Sequence, residues 1–287
     1  MSQFLQGPRV DGNALARLIR EETVQRFRAA AEASRITPRI AIVQLMGAAA
    51  ATQYTRRLQR TFEEAGVVAD LHELPEHATE IEAVALIHGL SEESEIHGIQ
   101  IQTPIPDAVR FASLLDVLDP AKDLDGIHPQ NAGLLAQGSP SIVPATPLGG
   151  MEILQRYGVR IAGSQAVVVG RSATVGRPMA LLLLQANATV TICHTKTRDL
   201  HEQVGRADIV VAAAGRAGLI EAPMIRDGAA ILDFGVNIIE GRTVGDVEPA
   251  AAQRASLFTP VPGGTGPVTS SMLLRNAFTL YERAIAA

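Results

Sequence analysis

Apolar positions along this chain fall into two recurring patterns, short continuous runs and longer stretches with a single apolar face. Residues 9–34 show the second pattern, with Leu15, Leu18, Ile19 and Val24 on one helical face. Pro38 ends the linker that follows, and residues 39–45 (RIAIVQL) form the apolar run of a buried strand. A helix is predicted over 48–65, with Gly66 as its C-cap. Next come a strand over 67–71, a helix over 81–90, a strand over 98–102 and a helix over 107–118. Residues 119–150 are rich in Pro and Gly and read as loop and inter-domain crossing. A second alternation begins beyond them. Strands are expected at 166–169, 189–193, 208–213 and 229–234, with helices at 175–185, 199–204 and 222–225. After a loop and the stretch TPVPGGTG (259–266), a last helix is expected over 267–284. Strands alternating with helices predict α/β architecture with parallel sheets, here in two domains, the last helix returning to the first.

One segment in the second alternation carries chemistry on its own. Residues 166–187 read AVVVGRSATVGRPMALLLLQAN, a strand, a glycine-bracketed turn and a helix. That order builds a phosphate site, because glycines let the main chain approach a pyrophosphate and the helix start offers free N–H groups. Gly170 and Gly176 lie six apart, outside the GxGxxG spacing, so the context carries the assignment. The plainer reading, a βα turn needing glycine for geometry alone, uses the same two residues. NAD-binding domains usually place an acid roughly 20 residues on, at the end of the second strand. Here Cys193-His-Thr-Lys-Thr197 stands there, and the first acid is Asp199. Cations and hydroxyls suit a ribose 2′-phosphate, so NADP is the expected cofactor. Arg171 inside the turn is the better candidate; Lys196 reads equally well as a solvated loop charge.

Composition narrows the class. The chain has 287 residues, 47% apolar and 19% charged, with no tryptophan and 3% aromatics. Ala, Leu, Val and Ile therefore make the core. A net charge of −5 with no basic block argues against nucleic acid or an anionic membrane as partner. The seven histidines form no cluster with the single Cys193, so no metal site is expected. A lone cysteine excludes an internal disulfide and fits a reducing compartment. The start MSQFLQGPRVDGN lacks a basic region followed by an apolar core, so a cytoplasmic protein without a secretory signal is expected.

Four further segments have unusual Pro and Gly content: GIQIQTPIP (98–106), KDLDGIHPQNAG (122–133), PATPLG (144–149) and TPVPGGTGPVT (259–269). Such loops at strand ends are where α/β proteins carry their sites. With Tyr54 ahead of EEAG, GRSATVGRPMA, DFGVN and GDV, these motifs resemble the FolD-type methylenetetrahydrofolate dehydrogenase/methenyltetrahydrofolate cyclohydrolase family. The resemblance runs from about Ala41 to Leu274. It implies an N-terminal α/β folate-binding catalytic domain (1–145 with 268–287) and a Rossmann-like NADP-binding domain (146–267). It also implies a homodimer acting on one-carbon tetrahydrofolates.

Residue roles follow from the same resemblance. Tyr54, Gln102 and Asp125 are the catalytic and substrate-binding set. Tyr54 would stack on the aminobenzoate ring, Gln102 would lie beside the one-carbon unit, and Asp125 would hold the pterin. A carboxylate suits that last task, since it accepts two N–H bonds from an aminopyrimidine edge. Pro262, Gly263 and Gly264 would line the folate site. Gly170, Arg171, Ser172, Gly176, Thr195 (for a usual serine) and Val236 would contact the nucleotide.

One departure matters most. The family pattern is Tyr-x-x-x-Lys, and here Tyr54-Thr-Arg-Arg-Leu58 puts leucine at the lysine position. The segment Leu45-Met-Gly-Ala-Ala-Ala-Ala51 likewise lacks the acids and serine of the family loop. Leucine moves no proton, and Arg56, Arg57 and Arg60 are always protonated. The expected activity is therefore oxidation of 5,10-methylenetetrahydrofolate by NADP, with weak or absent cyclohydrolase. The alternatives are an ordinary bifunctional enzyme giving 10-formyltetrahydrofolate, an enzyme on a related pterin or iminium substrate, and a non-catalytic folate or NADP binder. A shikimate-type dehydrogenase would instead need a Lys–Asp pair in its cleft.

Overall fold

The computed structural model describes residues 9–45, 49–75 and 77–286, with the side chains of 49–54 outside that description. Helix α1 (Gly12–Ser34) leads to β1 (Arg39–Gln44), α2 (Ala49–Glu64), β2 (Val68–Glu73), α3 (Glu80–Glu92), β3 (Gly98–Gln102), α4 (Phe111–Leu115) and α5 (Pro129–Ala136). Then come α6 (Ala145–Arg156), β4 (Gln165–Val169), α7 (Gly176–Gln185), β5 (Thr189–Cys193), α8 (Leu200–Gly205), β6 (Ile209–Ala212) and β7 (Ala230–Asp233). The chain ends with β8 (Asn237–Ile239), β9 (Arg242–Val244), β10 (Leu257–Phe258) and α9 (Thr265–Ala284).

Two compact units divide these elements. One comprises Leu18–Leu134, Pro140–Ile142 and Leu273–Ala287. Its sheet has the order β2-β1-β3, all parallel, with Gln44 in register with Gln102. Ala41, Val43, Ile99 and Ile101 pack on Ala83, Ile87 and Leu90 of α3 and Leu114 of α4. Right-handed crossovers from β1 to β2, and from β2 past β1 to β3, put α2 and α3 on opposite faces. Side chains alternate along a strand, so Gln100 and Gln102 share the α2 face. Leu280 of α9 covers the same sheet at Gly98. Phe27 of α1 meets Phe278 of α9 edge to face at 5.1 Å, and Tyr281 Oη donates to Ile36 O at 2.6 Å.

The other unit comprises the residues up to Arg17, Leu135–Ser139 and Val143–Met272. Its parallel sheet has the order β10-β7-β6-β4-β5. The chain runs from β4 out to β5 and returns to the far side of β4 at β6, so a topological switch point lies between β4 and β6. Val167, Val169, Val210, Ala212 and Ile231 form one core with Val204 and Ile225. Residues up to Arg17 join this unit through main-chain bonds, Val10 N–H to Phe258 O at 2.9 Å and Gly12 N–H to Gly263 O at 3.0 Å.

Strands β1 to β7 lie where the apolar runs predicted them, β10 falls in an expected loop, and the Pro/Gly-rich stretch 119–150 departs from the expectation. Residues 119–150, expected as loop, contain α5 and the first turns of α6. Pro129 opens α5 and Pro147 lies in the first turn of α6, where a missing N–H leaves no bond unmade. Gly149 and Gly150 do not break α6. A Cβ on Gly150 would meet the Phe234 ring at 2.7 Å, so close packing selects glycine there. The helix expected over 107–118 shrinks to α4, because Glu80 accepts the Arg110 N–H at 2.8 Å and fixes the preceding stretch outside the helix. The antiparallel β8–β9 hairpin was not foreseen. Its strands have three residues each, and the turn Glu240-Gly241 has positive φ at both positions (50° and 75°).

No described helix is long and apolar enough to cross a membrane. Among the described residues, no group of three or more His, Cys, Asp or Glu could hold a metal. Phe278→Ala should lower the unfolding free energy by ~3–5 kcal/mol, as expected for an aromatic lost from a packed core. Urea denaturation checks this, and a loss below ~1 kcal/mol would show that the contact with Phe27 is not a core contact.

Candidate functional site

The nucleotide side is built at the carboxyl ends of β4, β5 and β6. Gly170 follows β4 with φ of +130°, and a Cβ there would fall on the Ala213 carbonyl beyond β6. Gly176 opens α7, and a Cβ on it would fall on the Gly170 carbonyl. Both glycines are therefore required by main-chain approach. Ser172 Oγ accepts from Val175 N–H and Gly176 N–H, each at 3.2 Å, so it caps α7 within the turn. Gly170 N–H donates to Cys193 O at 2.9 Å, which sets the end of β5 beside the turn. Beyond Cys193, Thr197 Oγ1 accepts from His194 N–H at 2.8 Å and His194 Nδ1 accepts from Lys196 N–H at 3.1 Å. Arg171, Ser172, Thr195 and Lys196 are exposed around this rim, and no acid stands among residues 194–198. Val236 is also exposed, ahead of β8. The cradle and the cationic rim fit a dinucleotide carrying a 2′-phosphate.

Pro262, Gly263 and Gly264 belong to this same unit, in the loop ahead of α9. Gly263 has φ of +99°, and a Cβ on Gly264 would lie 2.5 Å from Pro260 O.

The polar cluster of the other unit gathers at β3. Gln102 ends this strand, buried, and its Nε2 has no hydrogen-bond partner. Segment 122–124 runs beside β3, with Ile99 N–H donating to Lys122 O at 2.7 Å and Leu124 N–H to Ile99 O at 3.1 Å. This lodges Asp125 near Gln100, whose Nε2 donates to Asp125 Oδ1 at 3.5 Å while its own buried Oε1 has no partner. Burial, then the charge of Asp123, pushes the Asp125 carboxyl up to about 7. The two acids of KDLDG thus have different jobs. Asp123 Oδ2 accepts His128 N–H and Asn131 Nδ2, both at 2.8 Å, and organises the entry to α5. Burial raises Asp123 too, opposed by those bonds. Among the described residues, Asp125 has no such scaffolding bonds, only the 3.5 Å contact from Gln100.

Helix α2 presents Thr55, Leu58 and Phe62 inward, buried, and Arg56, Arg57 and Arg60 outward. Thr55 Oγ1 has no hydrogen-bond partner. Tyr54 lies on α2 with its side chain outside the described residues, as do residues 46–48 of the altered loop. The chain has only two lysines, Lys122 and Lys196. Lys122 Nζ donates to Ser91 O at 2.6 Å and Glu93 O at 2.7 Å, capping the end of α3. It therefore replaces no lysine at position 58 and forms no shikimate-type Lys–Asp pair. Gln100 and Thr55 did not emerge from the sequence. The spacing of Gln100 and Gln102, two apart on a buried strand, was the available signal.

The description "Tetrahydrofolate dehydrogenase/cyclohydrolase, catalytic domain" matches residues 10–125, and "Tetrahydrofolate dehydrogenase/cyclohydrolase, NAD(P)-binding domain" matches 144–285. The "Bifunctional protein FolD" of Roseiflexus castenholzii is 49% identical over 269 residues, 93% of each chain. The crystal structure of the bifunctional FolD methylenetetrahydrofolate dehydrogenase/cyclohydrolase from Campylobacter jejuni superposes with a TM-score of 0.93 at 37% identity, covering 97% of this chain and 100% of that one. The Trypanosoma brucei methylenetetrahydrofolate dehydrogenase-cyclohydrolase, complexed with NADP and an inhibitor, gives 0.92 at 35% identity, covering 98% and 99%.

Gly176→Ala should weaken dinucleotide binding at least roughly tenfold, since the added carbon displaces the Gly170 main chain. Titration calorimetry with NADP reads this directly, and unchanged affinity would remove the turn from the nucleotide site.

Proposed function

The chain belongs to the tetrahydrofolate dehydrogenase/cyclohydrolase family, and we propose that it works as an NADP-dependent methylenetetrahydrofolate dehydrogenase with weak or absent cyclohydrolase activity. One observation carries the second half: Leu58 is buried on the inner face of α2, 4% exposed, where the resemblance expects lysine.

The two reactions ask different things of the protein. When bound, NADP accepts the hydride from the one-carbon donor. This chain's residues bind and orient for that step, which is mainly positioning. Arg171, Thr195 and the Gly170–Gly176 turn hold the nucleotide, with Val236 beside it. Asp125 holds the pterin edge, and Gln102 directs its unpartnered Nε2 at the one-carbon unit. Tyr54 stacks on the aminobenzoate, and the resemblance also assigns Pro262, Gly263 and Gly264 to substrate. Hydrolysis of the methenyl product additionally requires water to add and protons to move. Loss of a positioned proton-transfer group typically costs roughly 10²–10⁴-fold.

A second reading keeps both activities. Gln100 Oε1 and Gln102 Nε2 are buried without partners, and a neutral acceptor and donor together can hold a water. On either reading the enzyme is a cytoplasmic homodimer. The buried free thiol of Cys193 suits a reducing compartment. Exposed Leu184, Ile192, Ile238 and Ile239 supply apolar surface for association.

Purified protein given methylenetetrahydrofolate and NADP should form NADPH while methenyltetrahydrofolate accumulates. Decay of added methenyltetrahydrofolate well above its spontaneous rate would favour the bifunctional reading instead. Leu58→Lys should raise that decay, by up to roughly 10²-fold. The Asp125 pKa gives a pH dependence as well. Its carboxyl is neutral below about 7 and charged above it, and only the carboxylate accepts two N–H bonds. KM for methylenetetrahydrofolate should therefore fall as pH rises from 6 to 8, and Asp125→Asn should flatten the profile. A flat wild-type profile would remove Asp125 from pterin recognition.

A further inference from the structure

The nucleotide turn rests on a neighbour that no motif reading assigns. Asp246, in the loop after β9, is fully buried. Its Oδ2 accepts Ala214 N–H at 2.7 Å and Gly215 N–H at 2.9 Å, and its Oδ1 accepts Arg216 N–H at 2.8 Å and Asn237 Nδ2 at 2.9 Å. Its own N–H donates to Asp233 Oδ1 at 3.1 Å. Among the described residues no cation pairs with it. Four N–H donors compensate the charge instead.

The partners identify what is being held. Ala214, Gly215 and Arg216 are the loop that leaves β6 at the switch point. Ala213, the residue before them, sets its carbonyl against Gly170 so closely that no Cβ fits there. Asn237 follows Val236, the other expected nucleotide contact. A Cβ on Gly235 would fall on the Asp246 carboxyl group, so the Gly235 main chain before Val236 and the Asn237 amide after it both pack on this side chain. One carboxylate thus fixes the loop against the phosphate turn and the segment carrying Val236.

We infer that Asp246 is a positioning residue for the dinucleotide, tying loop 213–216 and segment 235–237 into one rigid rim around the Gly170–Gly176 turn. The inference rests on the NADP reading above. Its effect passes through main-chain N–H groups, so Asp246 itself need not touch the cofactor. Losing it should free loop 213–216, let Ala213 retreat from Gly170, and weaken NADP binding without touching pterin recognition.

The test compares wild type, Asp246→Asn and Asn237→Ala. NADP Kd is measured by calorimetry, KM for methylenetetrahydrofolate at saturating NADP, and unfolding in urea without ligand. Asp246→Asn should raise the NADP Kd about tenfold or more, as for lost hydrogen bonds to a charged group. Asn237→Ala removes one of the four bonds and should raise it about threefold. KM for methylenetetrahydrofolate should stay within about twofold in both. Unchanged NADP affinity in the variants overturns the inference, and so does an equal weakening of both ligands, which marks general loosening of the fold. If Asp246→Asn does not fold, Asn237→Ala decides on the same readouts. A wild type that binds no NADP would remove the nucleotide reading and this inference with it. A wild type that binds and variants that bind equally well would remove the inference alone.

Discussion

Close main-chain approach at the switch point is the constraint on which the nucleotide half depends. The Ala213 carbonyl occupies the place of a side chain on residue 170, and the Gly170 carbonyl occupies the place of one on residue 176. Only glycine satisfies both conditions. The consequence is a turn narrow enough for α7 to begin directly above the end of β4. Without that narrowness the helix N–H groups would stand too far from a pyrophosphate to bind it. The neighbouring buried acids follow from the same crowding. Asp233 accepts from Gly235, Asp246 and Val247 N–H groups, and burial pushes its carboxyl up to about 6. These carboxylates fasten main chain to main chain where side chains have no room.

The folate half follows another logic. Gln100 and Gln102 share a buried face of β3, and each has a side-chain atom with no protein partner. A buried amide without a partner costs free energy, which a bound water or a ligand that hydrogen-bonds it recovers. Asp125 obeys the same rule more strongly. Burial and the charge of Asp123 raise its carboxyl to about 7, and its one side-chain hydrogen bond among the described residues comes from Gln100 Nε2 at 3.5 Å, whereas Asp123, also raised by burial, is held by Asn131 and His128. The contrast separates two acids of one motif, one fastened to the entry of α5 and one with no such scaffolding bonds.

Much of this was legible in the sequence. Continuous β-branched runs located the strands because parallel strands are covered on both faces, and the glycine spacing located the turn. Residues 119–150 misled for a definite reason. Pro and Gly break helices only where an N–H must be donated or the backbone needs a side chain's support. Pro129 and Pro147 lie in first turns, and Gly150 is chosen by the Phe234 ring. The role of Asp246 was hidden because its partners are backbone N–H groups far along the chain, which leave no residue pattern. Gln100 was hidden because a strand face shows its polar neighbours only once register is known.

The two proposed reactions place different demands on the side chains. The Gly170–Gly176 turn, the acid-free stretch 194–198 and the buried carboxylates of Asp233 and Asp246 all lie in the unit matched by the NAD(P)-binding domain. Across the chain, the lysine position carries Leu58 and only two lysines remain, one spent on capping α3. Hydride transfer is mainly a matter of orientation and asks no side chain to change protonation, which is why the proposal keeps it with leucine at position 58. Hydrolysis asks more, since water and protons must be moved by a group that can hold them.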